Sequence, residues 1–225
     1  MDANAWISER YMRALARSPR GRAWLLDFLA GAEVDEYGVF DELIARVDDP
    51  ELARLVRRHR DDEIRHYNLL SECVVRGRVK PAPVLPEHSL SSRLDQALGG
   101  FWSSFKAGAT GVMEAYVILQ LLEELSVAVY PQVIAALAPH DPKSARVVEG
   151  VLRDEERHVK YARAVSRRYA PDVVTLDRTV RETRAVLERV SLEHNLATLR
   201  YAVDNDLLET PLVERMFWKA AARVA

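Results

Sequence analysis

Residues 49–70 read "DPELARLVRRHRDDEIRHYNLL", and residues 141–162 read "DPKSARVVEGVLRDEERHVKYA". Both open on Asp-Pro, and both reach Glu-x-x-His thirteen residues after the proline: Glu63 with His66, and Glu155 with His158. Ala53 and Ala145, Arg54 and Arg146, Val56 and Val148, and Arg65 and Arg157 also fall in register. One copy of so short a pattern arises by chance; two copies in matched surroundings mark an internal repeat of helices. The Asp caps a helix and the Pro suits its first position. The three-residue step from Glu to His puts a carboxylate and an imidazole one turn apart on one face.

A repeat of helix pairs requires two further helices with matching carboxylates. Glu33 in "GAEVDEYGVF" is followed at seven residues by Phe40, and Glu123 in "LLEELSVAVY" is followed at seven by Tyr130. Glu33 shares its predicted face with Leu26, Leu29, Ala30, Tyr37 and Phe40; Glu123 shares its face with Tyr116, Leu119, Val127 and Tyr130. Four carboxylates and two imidazoles therefore point toward one core. Four buried glutamates without compensation would cost several kcal/mol each, beyond what a domain tolerates. Two divalent metals balance four carboxylates, and mixed carboxylate and imidazole ligation suits iron or manganese. Asp62 and Asp154 stand just before the motif glutamates. Each is placed to accept the free N–H of the imidazole across the helix pair, Asp154 from His66 and Asp62 from His158. Glu36, Glu124 and Glu114 are rival carboxylates, with Glu124 the serious alternative to Glu123. His59, one turn before Glu63, could line the site, but reads better as a core or surface histidine, and His194 is assigned no role.

The remaining sequence fits one helical domain over residues 1–225. Long helices are expected from Arg22 to Val47, over 48–77, 111–138 and 140–169, from Leu176 to Leu207 and from Pro211 to Val224, with a shorter one from Arg93 to Lys106. Strand-like alternation is absent, so the fold class is all-α, an antiparallel four-helix bundle over about 22–170 with additional C-terminal helices over 174–225. With 48% hydrophobic and 29% charged residues and a net charge of −2, composition points to a globular cytoplasmic protein without a nucleic-acid footprint. The N-terminal stretch lacks the apolar run of a secretory signal, and nothing reaches membrane-span length. The single cysteine, Cys73, excludes a thiolate-built centre within one chain and reads as a small buried hydrophobe.

One Glu from each of two helices and Glu-x-x-His from two others resembles the ferritin-like di-iron carboxylate superfamily. Within it, "GAEVDEYGVFDEL", "LQLLEELSVAVY" and "DPKSARVVEGVLRDEERHVKYARA" are most similar to the aldehyde-deformylating oxygenases, over roughly residues 25–170. Phe40 stands where those enzymes have a tyrosine. The resemblance implies a ferritin-like fold and two iron ions, or a manganese–iron pair, on Glu33, Glu63, His66, Glu123, Glu155 and His158. It implies an oxygenase that takes O2, an apolar small-molecule substrate and an external electron donor, with a homodimer as a compatible assembly. The competing expectations are a ferroxidase or peroxide scavenger, and a helical scaffold with a structural polar core. For the oxygenase, the apolar residues Leu192, Leu196, Leu199 and Val203 are expected to help close a chamber beside the metals.

Overall fold

The computed structural model describes residues 3–34, 38–47, 49–85, 88–102 and 108–224. Among these the chain is helical throughout, with no strand: α1 (Ala3–Arg17), α2 (Pro19–Ala32), α3 (Val39–Arg46), α4 (Pro50–Gly77), α5 (Leu90–Ala97), α6 (Ala109–Leu137), α7 (Pro142–Tyr169), α8 (Val173–Asp204) and α9 (Leu212–Val224).

The two repeat helices start for the same local reason. Asp49 accepts from the backbone N–H of Glu51 and Leu52, and Asp141 from that of Ser144, with Pro50 and Pro142 at the first helical positions. Each cap supplies acceptors for amides that have no partner in the helix. α4 ends where Arg78 turns left-handed at φ 53°. Contacts between α4 and α7 run in opposite senses along the two helices. Asp62 meets Arg157 and His158, while Arg65 and His66 meet Asp154, so the pair is antiparallel.

α2, α4, α6 and α7 share one apolar cluster built from Leu25, Leu29, Leu70, Tyr130, Val133, Val148 and their neighbours. Val56 and Val148, matched in the repeat, are both fully buried, and burial stabilises by about 1.5–3 kcal/mol for such a side chain. α3 belongs to a second cluster, in which Phe40 and Leu43 meet Val56, Met113, Tyr116 and Leu121, with Leu176 and Leu187 of α8 packed in from outside. No helix among the described residues is long and apolar enough to cross a membrane.

Three expectations need correction. The helix expected from Arg22 to Val47 is two helices, broken directly after Ala32; Glu33 is the C-cap of α2, and α3 restarts from Gly38 in the left-handed region at φ 61°. The break lets α2 and α3 feed different apolar clusters, which a straight helix would not. α1 was not expected as a helix; it buries Ala14, Leu15 and Ala16. Beside it Gly21 passes between the carbonyls of Leu15 and Leu207, where a Cβ would lie 2.4 Å from both oxygens, so only glycine fits. Leu192 is 61% exposed and does not continue the apolar face of α8, which instead buries Leu187, Val190, His194 and Leu199.

Candidate metal centre

Between α2, α4, α6 and α7 the structure gathers seven ionisable side chains. One group is Glu33, Glu63, His66 and Glu155; the other is His59, Glu63, Glu123 and His158; within each, ligand atoms lie within 4.8 Å of one another. All six carboxylates and imidazoles expected from the sequence are brought together, along with His59. Glu63 belongs to both groups, and Glu63 and Glu155 each turn one oxygen toward each motif imidazole. Glu63 Oε2 faces His66 Nδ1 at 3.8 Å and its Oε1 faces His158 Nδ1 at 3.2 Å. Glu155 Oε1 faces His66 Nδ1 at 3.2 Å and its Oε2 faces His158 Nδ1 at 3.0 Å. Glu33 and Glu123 close the two ends, at 3.4 Å from His66 Nδ1 and 3.6 Å from His158 Nδ1.

Each motif imidazole turns Nδ1 inward and Nε2 outward. His66 Nε2 lies 3.2 Å from Asp154, and His158 Nε2 lies 3.4 Å from Asp62. These carboxylates are themselves tied down. Arg65 donates to Asp62 at 2.5 Å and to Asp154 at 2.6 Å; Arg157 donates to Asp154 and, at 3.4 Å, to Asp62. The result is a ring of two aspartates and two arginines that fastens α4 to α7 over the imidazoles. Burial would raise the Asp154 carboxyl, but Arg65, His66 and Arg157 hold it at about 2. An acceptor so firmly ionised fixes the imidazole proton on Nε2 and leaves the Nδ1 lone pair free to ligate.

The donors fit a pair of cations better than a hydrogen-bonded network. His66 Nδ1, Glu63 Oε1 and Glu155 Oε1 are buried without a hydrogen-bond partner, and such orphans cost about 1–3 kcal/mol each. Ligands bound at about 2.1 Å and right angles sit roughly 3.0 Å apart, near the shorter of these nitrogen–oxygen contacts, which run from 3.0 to 3.8 Å. Imidazole with carboxylate is the donor mixture of iron, manganese and zinc sites. Without a cation the charges are balanced by protons instead. Burial and the ionised Glu123 push Glu155 up to about 8, and burial raises Glu33 well above the carboxylate range. Burial would lower His66, but Glu155, Glu33 and Glu63 raise it to about 12, and His158 is raised in the same way by Glu123, Glu155 and Glu63. Burial would likewise raise Glu63 and Glu123, yet the facing imidazoles bring Glu63 well down, and Glu155, His158 and His59 bring Glu123 to about 2.

Of the adjacent carboxylates on α6, Glu123 enters the cluster. Glu124 turns away to accept from Arg163 at 2.6 Å, Arg184 at 2.8 Å and Gln120 at 2.8 Å, joining α6 to α7 and α8. Glu36 and Tyr37 lie outside the described residues. Tyr130 donates to Glu33 at 2.5 Å. His194 packs on Phe28, with ring centroids 5.5 Å apart, and belongs to neither group.

His59 corrects the sequence reading. It is only 2% exposed and its Nε2 is 3.0 Å from both Glu63 and Glu123, so it is neither surface nor plain core. Its signal was spacing: one turn before Glu63, it shares that residue's face. Arg65 and Arg157 were visible as matched positions, but their part in holding the aspartates needed the α4–α7 register.

The two cavities described, about 250 and 270 Å3, lie by Arg13 and Arg17 of α1 and are lined by residues such as Glu9, Glu214, Ala135 and His140, away from the carboxylates. Neither is the apolar chamber expected beside the metals. No family model, no characterised protein and no solved structure matches the chain.

Proposed function

We propose that this chain is a ferritin-like di-iron carboxylate oxidoreductase that uses O2 to oxidise a small apolar molecule. The observation that carries the reading is that Glu63 and Glu155 each turn one oxygen toward each motif imidazole. Two carboxylates so placed could serve ions at both ends, which would lie close together. Glu33 with His66, and Glu123 with His158, would complete the two ends, while Asp154 and Asp62 orient the imidazoles. When bound there, a pair of redox-active ions, iron with iron or manganese with iron, would supply the electrons that O2 takes up. The chain's own part is to fix the ligands, hold their protons at Nε2, and keep water from the inner side with Leu29, Tyr116 and Tyr130, all buried. An electron donor in another chain would restore the reduced state, since the lone cysteine builds no relay here.

The charged ring of Asp62, Arg65, Asp154 and Arg157 favours a second reading. Both arginines are about half exposed, so a polar surface lies directly over the imidazoles. That suits a ferroxidase, which needs a polar route for Fe(II).

Anaerobic loading of the metal-free protein with Fe(II) should give about two ions per chain; no bound metal ends the dinuclear reading. O2 uptake with excess reductant then separates the two functions. Uptake that continues only with an apolar organic co-substrate supports the oxygenase, and uptake that tracks added Fe(II) alone makes the protein an iron handler.

A further inference from the structure

The repeat that builds the centre departs from itself at a buried position beside the ligands. His59 stands four residues before Glu63, and the residue four before Glu155 is Val151, which is also buried. One half of the site therefore has an extra nitrogen donor that the other half lacks. The opposite exchange occurs in the flanking aromatics. Glu33 takes a hydrogen bond from the Tyr130 hydroxyl at 2.5 Å, whereas the residue matching Tyr130 in the repeat is Phe40, which has no hydroxyl and packs on His59 with ring centroids 4.6 Å apart. Phe40 on one side and His158 on the other, at 3.9 Å between centroids, hold the His59 ring in place.

We infer that His59 is a seventh ligand, binding through Nε2 the ion held by Glu123 and His158, so that one metal position has two imidazoles and the other one. This rests on the dinuclear reading above. The alternative is that His59 merely donates a hydrogen bond to Glu123. As a donor it serves one oxygen: Glu63 Oε1, equally distant at 3.0 Å, stays without a hydrogen bond. An ion at the meeting point satisfies His59 Nε2, His158 Nδ1, Glu63 Oε1 and Glu123 Oε1 together, and these four residues form one group within 4.8 Å. The nitrogen-rich position then favours later first-row ions, and the carboxylate-rich position of Glu33 and His66 favours manganese.

The test uses the full chain, titrated with Co(II) by calorimetry and visible absorption, as wild type, His59→Ala and His59→Gln. Glutamine keeps an N–H donor but removes the imidazole nitrogen. Both variants should weaken one of the two ions by about ten-fold or more and leave the other, with helical content unchanged by circular dichroism. Wild-type affinity in His59→Gln, or equal weakening of both ions, would overturn the inference while leaving the dinuclear centre standing. Pulsed EPR of the mixed-valent iron form of the wild type needs no variant: nitrogen couplings from three imidazoles are expected, and from two would overturn it. A wild type that binds no metal would overturn both this inference and the reading beneath it.

Discussion

Around Glu33 the neighbours are the Tyr130 hydroxyl and His66; around Glu123 they are His59 and His158. The parts common to the two ends come from the repeat: a glutamate facing both imidazoles, an inward Nδ1, an aspartate behind it and an arginine across it. Those parts set a frame that could hold two ions side by side. Of the parts that differ, His59 and Val151 stand one turn before the motif glutamates, while Tyr130 and Phe40 stand seven residues after Glu123 and Glu33, Phe40 on the separate helix α3. Duplication thus accounts for the frame, and the departures from duplication make the two positions chemically unlike. The clasps differ as well: Arg65 reaches Asp154 at 2.6 Å, but Arg157 reaches Asp62 only at 3.4 Å.

The largest effect should come from the residues that belong to both ends. Glu63→Ala and Glu155→Ala each remove a carboxylate that faces both motif imidazoles, so each should lose both ions, whereas Glu193→Ala, on the exposed face of α8, should keep two. Metal analysis of the three variants decides this. Equal loss in all three would report misfolding, and loss of one ion only would show that the glutamates are terminal ligands and the halves independent.

A smaller effect should separate the halves. Asp154→Asn and Asp62→Asn each exchange an ionised acceptor for an amide behind one imidazole, and such changes cost about 10–100-fold in metal affinity. Asp154 is the more tightly held, so Asp154→Asn should sit toward the upper end and act on the ion of His66, and Asp62→Asn toward the lower end on that of His158. Calorimetric titration that found the two variants equal would mean that the clasp geometry does not reach the metals.

Much of this frame was legible before any coordinates. Asp49-Pro50 and Asp141-Pro142 are start signals whose chemistry acts within one turn, and α4 and α7 begin there. Glu-x-x-His is equally local, because the helix alone fixes how carboxylate and imidazole stand to each other. The break after Glu33 was not legible, since "GAEVDEYGVF" keeps helical spacing of apolar residues on both sides. What decides it is tertiary: Leu29 and Phe40 belong to different clusters, and left-handed Gly38 permits the turn. His59 was passed over for a related reason. A histidine on an apolar face becomes a site residue only when another helix brings a donor to it, and Glu123 is sixty-four positions away. Leu192 shows the reverse error, apolar spacing without a neighbour to bury it.

The smallest effect sets protons against metal in the same cluster. In the metal-free chain Glu155 is raised to about 8 from an ordinary 4.5, and His66 to about 12 from 6.5. The folded form therefore keeps a proton on Glu155 that the unfolded chain has already released. Its contribution to stability is full below about pH 4.5 and is lost as pH rises toward 8. The His66 contribution is full below about 6.5 and drains away above it, and His158 follows the same direction. Glu63 and Glu123, lowered in the fold, act only in acid, where stability falls as they are protonated. Between pH 6 and 8 the metal-free protein should thus become less stable as pH rises. One proton of difference between the folded and unfolded chains changes stability by about 1.4 kcal/mol per pH unit. For a chain of this size that is roughly 3–6 °C of melting midpoint per pH unit. Metal binding must expel those same protons, so the stabilisation given by saturating Co(II) should grow over the same interval. Paired melts at pH 6 and pH 8, with and without Co(II), would show the two curves diverging. A metal-free midpoint that rises with pH would mean that the imidazoles and Glu155 are not holding protons against the glutamates. The two ends of the centre would then be balanced by some other means than the one their geometry provides.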